Sequence, residues 1–127
     1  MSIASWIAPF DGPRFPVTSI RDNVEAVHRL LGKALGVHHL RAIVGFSMGC
    51  QQAFQWAVRY PNFADRIVVT SAGAKTWPHG IVRLESQIMA IENDRVFARG
   101  NYKEQPPRKG LQTFGAIWAG WLFSPGW

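Results

Sequence analysis

The stretch that most restricts the fold is Gly45-Phe46-Ser47-Met48-Gly49. An apolar run, Ala42-Ile43-Val44, leads into it, and an amphipathic stretch from Cys50 to Tyr60 leads out. That pattern predicts strand, tight turn and helix, with a serine at the apex. It fits G-x-S-x-G, a motif that carries meaning only with a strand before it and a helix after it. The glycines have a steric reason. A serine at such an apex takes a strained backbone conformation, and a Cβ two positions to either side is expected to collide with the neighbouring strand or helix. The bland alternative is an ordinary strand-to-helix turn that happens to contain a serine.

The flanking segments supply the rest of a strand–helix–strand unit. Residues 1–18 read as a long loop, with Pro9, Gly12, Pro13 and Pro16 interrupting any period. Ser19 and Asp22 fit a capping box. Val24, Val27, Leu30, Leu31, Ala34 and Leu35 then make one apolar helical face, closed by Gly36. Leu40 to Val44 reads as a short buried strand. The helix after the turn presents Ala53, Phe54, Trp56, Ala57 and Tyr60, and Pro61 ends it. Arg66 to Thr70 is a second strand. Strand, helix and strand over about 30 residues is the size of a βαβ unit, which implies parallel pairing. Ser71 to Gly80 reads as loop. A third helix carries Ile81, Leu84, Ile88 and Ile91 on one face, and a last one, roughly 111–122, shows Leu111, Phe114, Ile117, Trp118 and Trp121.

Composition excludes several classes. At 127 residues the chain holds one domain at most. No uninterrupted apolar run approaches the roughly 18 residues of a membrane span. No basic segment followed by an apolar one marks a secretory leader. The single cysteine, Cys50, permits no internal disulfide and no cysteine pair for a metal, so a cytoplasmic location without a metal is expected. The net charge of +6 comes from 14 basic residues scattered among 8 acidic ones. Without a stripe or an accompanying motif, that excess predicts neither nucleic-acid nor membrane binding.

More residues than the pentapeptide carry a resemblance. They are Pro13-Arg14-Phe15-Pro16, Arg21-Asp22-Asn23-Val24 and Leu35-Gly36-Val37. The elbow itself follows, with Gln51-Gln52-Ala53-Phe54-Gln55-Trp56 and Ala57 to Pro61. Gly110-Leu111 and Ala119-Gly120-Trp121 complete the set. Over nearly the whole chain this resembles the homoserine O-acetyltransferase-like branch of the α/β-hydrolase superfamily. The resemblance implies an α/β fold, and here the central fragment of the three-layer α/β-hydrolase architecture. Residues 1–76 would supply loop, helix, strand, elbow, helix and strand, and residues 77–127 the start of a helical lid. It implies acyl transfer through a seryl-acyl intermediate. Acetyl-CoA would be the donor, a homoserine-like hydroxyl the acceptor, and no cofactor would be permanently bound. The triad order in this superfamily is Ser, then Asp or Glu, then His, and nothing after Ser47 matches the later motifs. The isolated chain is therefore expected to be inactive and to associate through exposed sheet edges. Cys50 also departs from the family, which usually has Gly or Ala there. The alternatives are an ester or thioester hydrolase of the same fold, and a non-enzymatic truncated product.

Each candidate side chain has a bland reading beside the sharp one. Ser47 is the expected nucleophile, with the Met48 backbone N–H as one oxyanion donor. Phe46 and His79 are expected pocket residues, although His79 equally suits a loop at the root of the lid. His28, between Val27 and Arg29 on a helix, suits a half-buried structural place. His38, His39 and Asp65 precede strands, at the end opposite the elbow. Asp94 is expected to close the third helix in solvent. Cys50 is expected as a small core residue. The aromatic last helix is expected to pack over an apolar acyl pocket rather than on a membrane surface.

Overall fold

The computed structural model describes residue 10, residues 12–102 and residues 105–122. The rest of the expected N-terminal loop, and the last five residues of the chain, lie outside them. Two compact units emerge: Val17–Thr76, and Met1–Pro16 with Trp77–Trp127.

The first unit starts on its capping box. Ser19 Oγ accepts from the Asp22 N–H at 3.2 Å, and Asp22 Oδ2 accepts from the Ser19 N–H at 2.8 Å. The Ser19 hydroxyl, then its N–H, hold the Asp22 carboxyl below the usual range. Helix α1 runs Ile20–Arg29 and widens into a π-helical turn, Leu30–Ala34, with the Leu35 N–H bonded to the Leu30 carbonyl at 3.2 Å. Gly36, at φ +65°, then closes it, as the sequence predicts. The extra residue in that turn breaks the expected apolar face. Val24 is buried and Leu31 reaches the core, while Leu30 and Leu35 are exposed.

Strand β1, Ile43–Phe46, enters α2, Met48–Arg59, which returns the chain to β2, Ile67–Thr70. The strands are parallel, with Ile43 opposite Ile67 and Phe46 opposite Thr70. The Ser47 N–H carries the ladder one step further, to the Thr70 carbonyl at 3.0 Å. β1 thus ends later than expected. Leu40 makes only an isolated bridge to Ala64, and the continuous strand runs up to the serine. Nor is the strand buried on both faces. Pleating turns Val44 and Phe46 away from the Ile43–Gly45 side, and they are 74% and 72% exposed.

The core of this unit is aromatic. Val24, Trp56 and Phe63 are buried, with Leu31, Leu40, Ile43 and Tyr60 packed around them. His28 stacks on Tyr60 with centroids 3.8 Å apart, and Trp56 stacks on Phe63 at 5.2 Å. The Tyr60 hydroxyl donates to Glu25 Oε2, tying the end of α2 to α1, and Arg29 donates to Glu25 Oε1 at 2.9 Å. The second unit holds α3, Pro78–Glu92, a 3-10 segment, Arg95–Gly100, and α4, Arg108–Leu122. The two helices lie antiparallel. His79 meets Trp121 at 4.6 Å, and Arg83 sits over Trp118 at 4.7 Å. A Cβ on Gly110, at the other end, would come within 2.8 Å of the Ala90 carbonyl oxygen. The side of α3 that meets α4 therefore carries His79 and Arg83. Of the expected apolar face, Ile81, Leu84 and Ile88 are exposed, and only Ile91 is half-buried, beside Gly110.

The Glu25–Tyr60 bond sets an acid dependence. The Tyr60 hydroxyl, then Arg29, hold the Glu25 carboxyl below its usual value, and Glu25 in turn raises the Tyr60 phenol. A depressed carboxyl stabilises the fold above its unfolded value, and that contribution is lost as pH falls through the lower folded value. Urea midpoints measured between about pH 2 and pH 6 are expected to fall with acid in the wild type. Tyr60→Phe is expected to make that fall shallower, with a lower plateau near neutrality. An unchanged acid limb in Tyr60→Phe would show that the bond does not contribute.

Candidate active site

The turn is built by one close approach. An added Cβ at Gly45 would lie 2.1 Å from the Gly49 carbonyl oxygen and 2.7 Å from the Cys50 nitrogen. Only glycine lets β1 run this close under the first turn of α2. At Gly49 the expectation fails: a Cβ there would meet nothing within 4 Å among the described residues. Its Cβ position points away from the strand, so this glycine is not sterically required.

Ser47 sits at the apex with φ 54° and ψ −120°. L-residues rarely adopt that conformation, and holding it costs on the order of 1–3 kcal/mol. The serine is exposed, and it bonds forward through its carbonyl, which accepts from the Cys50 N–H at 2.9 Å. Met48 opens α2, so its N–H is one of those that a helix start leaves without an intrahelical acceptor. Strand, strained serine and helix start therefore come together as the sequence predicts. Phe46, the last residue of β1, is exposed on the sheet face away from Gly45.

The other candidates divide by place. Cys50 is fully buried, and its thiol donates to the Ala72 carbonyl at 3.1 Å, which pins α2 to the loop after β2. His28 belongs to the aromatic core. His39 lies at the opposite end of the strands, 2.9 Å from Asp65 Oδ1 and 3.2 Å from the Asn62 carbonyl, and Arg41 also donates to Asp65. His38 precedes the same strand. His79 is corrected: it lies in the first turn of α3, in the second unit, rather than in a loop. Pro78 at the first helical position was the readable signal. Asp94 is corrected as well. Glu92 ends α3, and Asp94 caps the following 3-10 segment through the Val96 N–H.

Sequence reasoning missed Ser71. It follows Thr70, the register partner of Phe46, at the end of β2 with φ 62°. Its position after a strand, in a loop of small residues, gave no local signal. Among the described residues no group of three or more His, Cys, Asp or Glu is placed to hold a metal. None of the described helices is long and apolar enough to cross a membrane.

The model of the alpha/beta hydrolase fold family matches residues 8–119. The chain belongs to the α/β-hydrolase fold family. It is 42% identical, over 80% of its length, to a homoserine O-acetyltransferase of Corynebacterium efficiens, and covers 27% of that protein. It is 37% identical, over 87% of its length, to an ethyl acetate hydrolase of Pseudomonas veronii, and covers 32% of it. Among solved structures the acetyl esterase MekB superposes with a TM-score of 0.86 at 35% identity, over 94% of this chain and 35% of that one. The chain thus spans about a quarter to a third of the length of the curated relatives it matches.

The two glycines separate the steric requirement from the motif. Gly45→Ala is expected to cost about 3 kcal/mol, the upper range for a forced overlap. Gly49→Ala is expected to be neutral or to stabilise by about 0.5–1 kcal/mol, as alanine does in a helix. Urea unfolding of both variants measures this, and equal losses would overturn the assignment of the close approach to Gly45.

Proposed function

We propose that Ser47 is the nucleophile of an acyl-transfer reaction that passes through a seryl ester. The observation that carries this reading is its φ of 54° between a strand end and a helix start. That conformation lifts Oγ clear of both elements, where a carbonyl carbon can approach. As Oγ attacks, its proton must leave to a base and the carbonyl oxygen gains charge. The Met48 N–H, at the positive end of α2, is the donor suited to that charge. Acetyl-CoA as donor and a homoserine-like hydroxyl as acceptor follow from the similarity to homoserine O-acetyltransferases. Water as acceptor, hence ester hydrolysis, is the second reading, favoured by the similarity to an ethyl acetate hydrolase and an acetyl esterase.

The base is the missing part. In the unit that carries Ser47, His28 is held in the aromatic core and His39 is bonded to Asp65 at the far strand ends. Without a histidine in reach within this unit the serine has no base to take its proton. Loss of one triad member typically costs about four orders of magnitude in rate. The exposed side chains of Val44 and Phe46 also favour self-association of this chain.

The test uses the 127-residue chain. Sedimentation is expected to show associated species. Turnover of p-nitrophenyl acetate is expected to match that of Ser47→Ala. Ser47-dependent turnover by a cooperatively folding monomer would overturn the missing-base argument and make His79→Ala the next variant. Mass spectrometry after prolonged incubation is expected to find the slow acetyl adduct on Ser47. An adduct distributed over other hydroxyls and absent from Ser47 would overturn the nucleophile. Adding homoserine or water alone to the acetylated protein then separates transferase from hydrolase.

A further inference from the structure

The segment Thr70-Ser71-Ala72 meets the turn around Ser47 before, at and after its apex. The Thr70 hydroxyl donates to the Gly45 carbonyl at 3.4 Å. The Thr70 carbonyl accepts from the Ser47 N–H at 3.0 Å. The Ala72 carbonyl accepts from the Cys50 thiol at 3.1 Å. All of these groups belong to the unit Val17–Thr76.

Ser71 is the residue that lets one short segment make every one of these bonds. Up to Thr70 the chain is strand, in register with β1. β1 ends at Phe46 and α2 begins at Met48, so a straight continuation of β2 would run past the end of its partner. The chain turns at Ser71 instead, at φ 62°, and the next carbonyl meets the Cys50 side chain in the first turn of α2. An L-residue held at that φ is strained, and such strain persists only where the surroundings impose it. Ser71 is exposed, and none of the bonds above uses its hydroxyl. We propose that Ser71 is a positioning residue, whose left-handed backbone closes a clamp from Thr70 to Ala72 on the strained backbone of Ser47. Its bearing on acyl transfer rests on the reading of Ser47 as nucleophile, whereas the clamp itself does not.

Glycine and asparagine accept a positive φ, and β-branched valine does not. Ser71→Gly and Ser71→Asn therefore keep the clamp without the hydroxyl, and Ser71→Val opens it. The 127-residue chain offers two readouts. Mass spectrometry follows acetylation of Ser47 by p-nitrophenyl acetate. A nitrobenzoate disulfide reagent follows exposure of the Cys50 thiol, which is fully buried when the clamp is closed. Ser71→Val is expected to slow Ser47 acetylation about tenfold and to speed the thiol reaction about tenfold, with circular dichroism unchanged. Ser71→Gly and Ser71→Asn are expected to keep wild-type rates in both. Should Ser71→Val not fold, Cys50→Ala releases the far end of the clamp and is expected to slow Ser47 acetylation about threefold. Slowing by Ser71→Gly as large as that by Ser71→Val would assign the effect to the hydroxyl and overturn the proposal. So would a folded Ser71→Val with both rates unchanged, or Cys50→Ala without effect on an acetylated Ser47. Thiol protection that follows the Ser71 variants while Ser47 takes no acetyl group would sustain the clamp and sink the nucleophile.

Discussion

The backbone of β1 and the first turn of α2 touch at Gly45, and the rest of the elbow depends on that contact. Because no Cβ intervenes, the chain reverses from strand to helix within a single residue, Ser47. The strain at that residue has no local source of repayment. It is held by bonds on both sides: the Ser47 N–H to the Thr70 carbonyl, and the Cys50 N–H to the Ser47 carbonyl. The buried Cys50 thiol adds a third tie, to Ala72 beyond β2. A strained conformation persists only where its surroundings over-determine it. Here the sheet ladder and the helix start do so together.

The second constraint is how α2 is anchored at its other end. Trp56 and Tyr60, one turn apart, reach Phe63 and His28, and Tyr60 also binds Glu25. The helix is therefore fixed by backbone proximity at its start and by aromatic packing at its finish. In the other unit the logic is reversed. α3 meets α4 through His79 and Arg83 against Trp121 and Trp118, contacts that use ring faces and a cation rather than aliphatic packing. Gln87 lies one turn further along α3 from Arg83. Gln87 is only 4% exposed, and its Nε2 finds no partner among the described residues.

Most of the first unit was legible because its signals are local. The capping box at Ser19, the stop at Gly36, the glycine at 45 and Pro61 each act within a few residues of where they stand. The parallel pairing followed from element order alone. What was not legible depends on contacts between distant residues. The π turn at Leu30–Ala34 leaves the hydrophobic pattern intact while rotating its face. The exposure of Val44 and Phe46 depends on what covers a sheet, which no strand encodes by itself. The face of α3 was misassigned because periodicity finds the apolar side, whereas the neighbour chose the side with Arg83 for its tryptophans. Asp94 was read as the end of α3, and its tie to the Gly110 N–H, 16 residues away, has no local signal. The serine itself was legible as a candidate, because steric need and chemistry coincide at the same five residues.

The two ends of the small sheet are built on opposite principles. At the N-terminal ends of the strands the geometry is relaxed and cross-linked. Leu40 and Ala64 form a bridge, His39 lies within bonding distance of Asp65 and the Asn62 carbonyl, and Arg41 joins them. At the C-terminal ends both strands leave through residues with positive φ, Ser47 at 54° and Ser71 at 62°. The residues before them, Phe46 and Thr70, are register partners, and the Ser47 N–H reaches the Thr70 carbonyl, so both strands end at the same level. The strained residues stand at one end of the sheet and the hydrogen-bonded side chains at the other. In open α/β sheets ligands bind outside the carboxyl ends of the strands, the end at which Ser47 stands. One end holds the register, and the other is thereby free to hold conformations that the chain would not adopt alone.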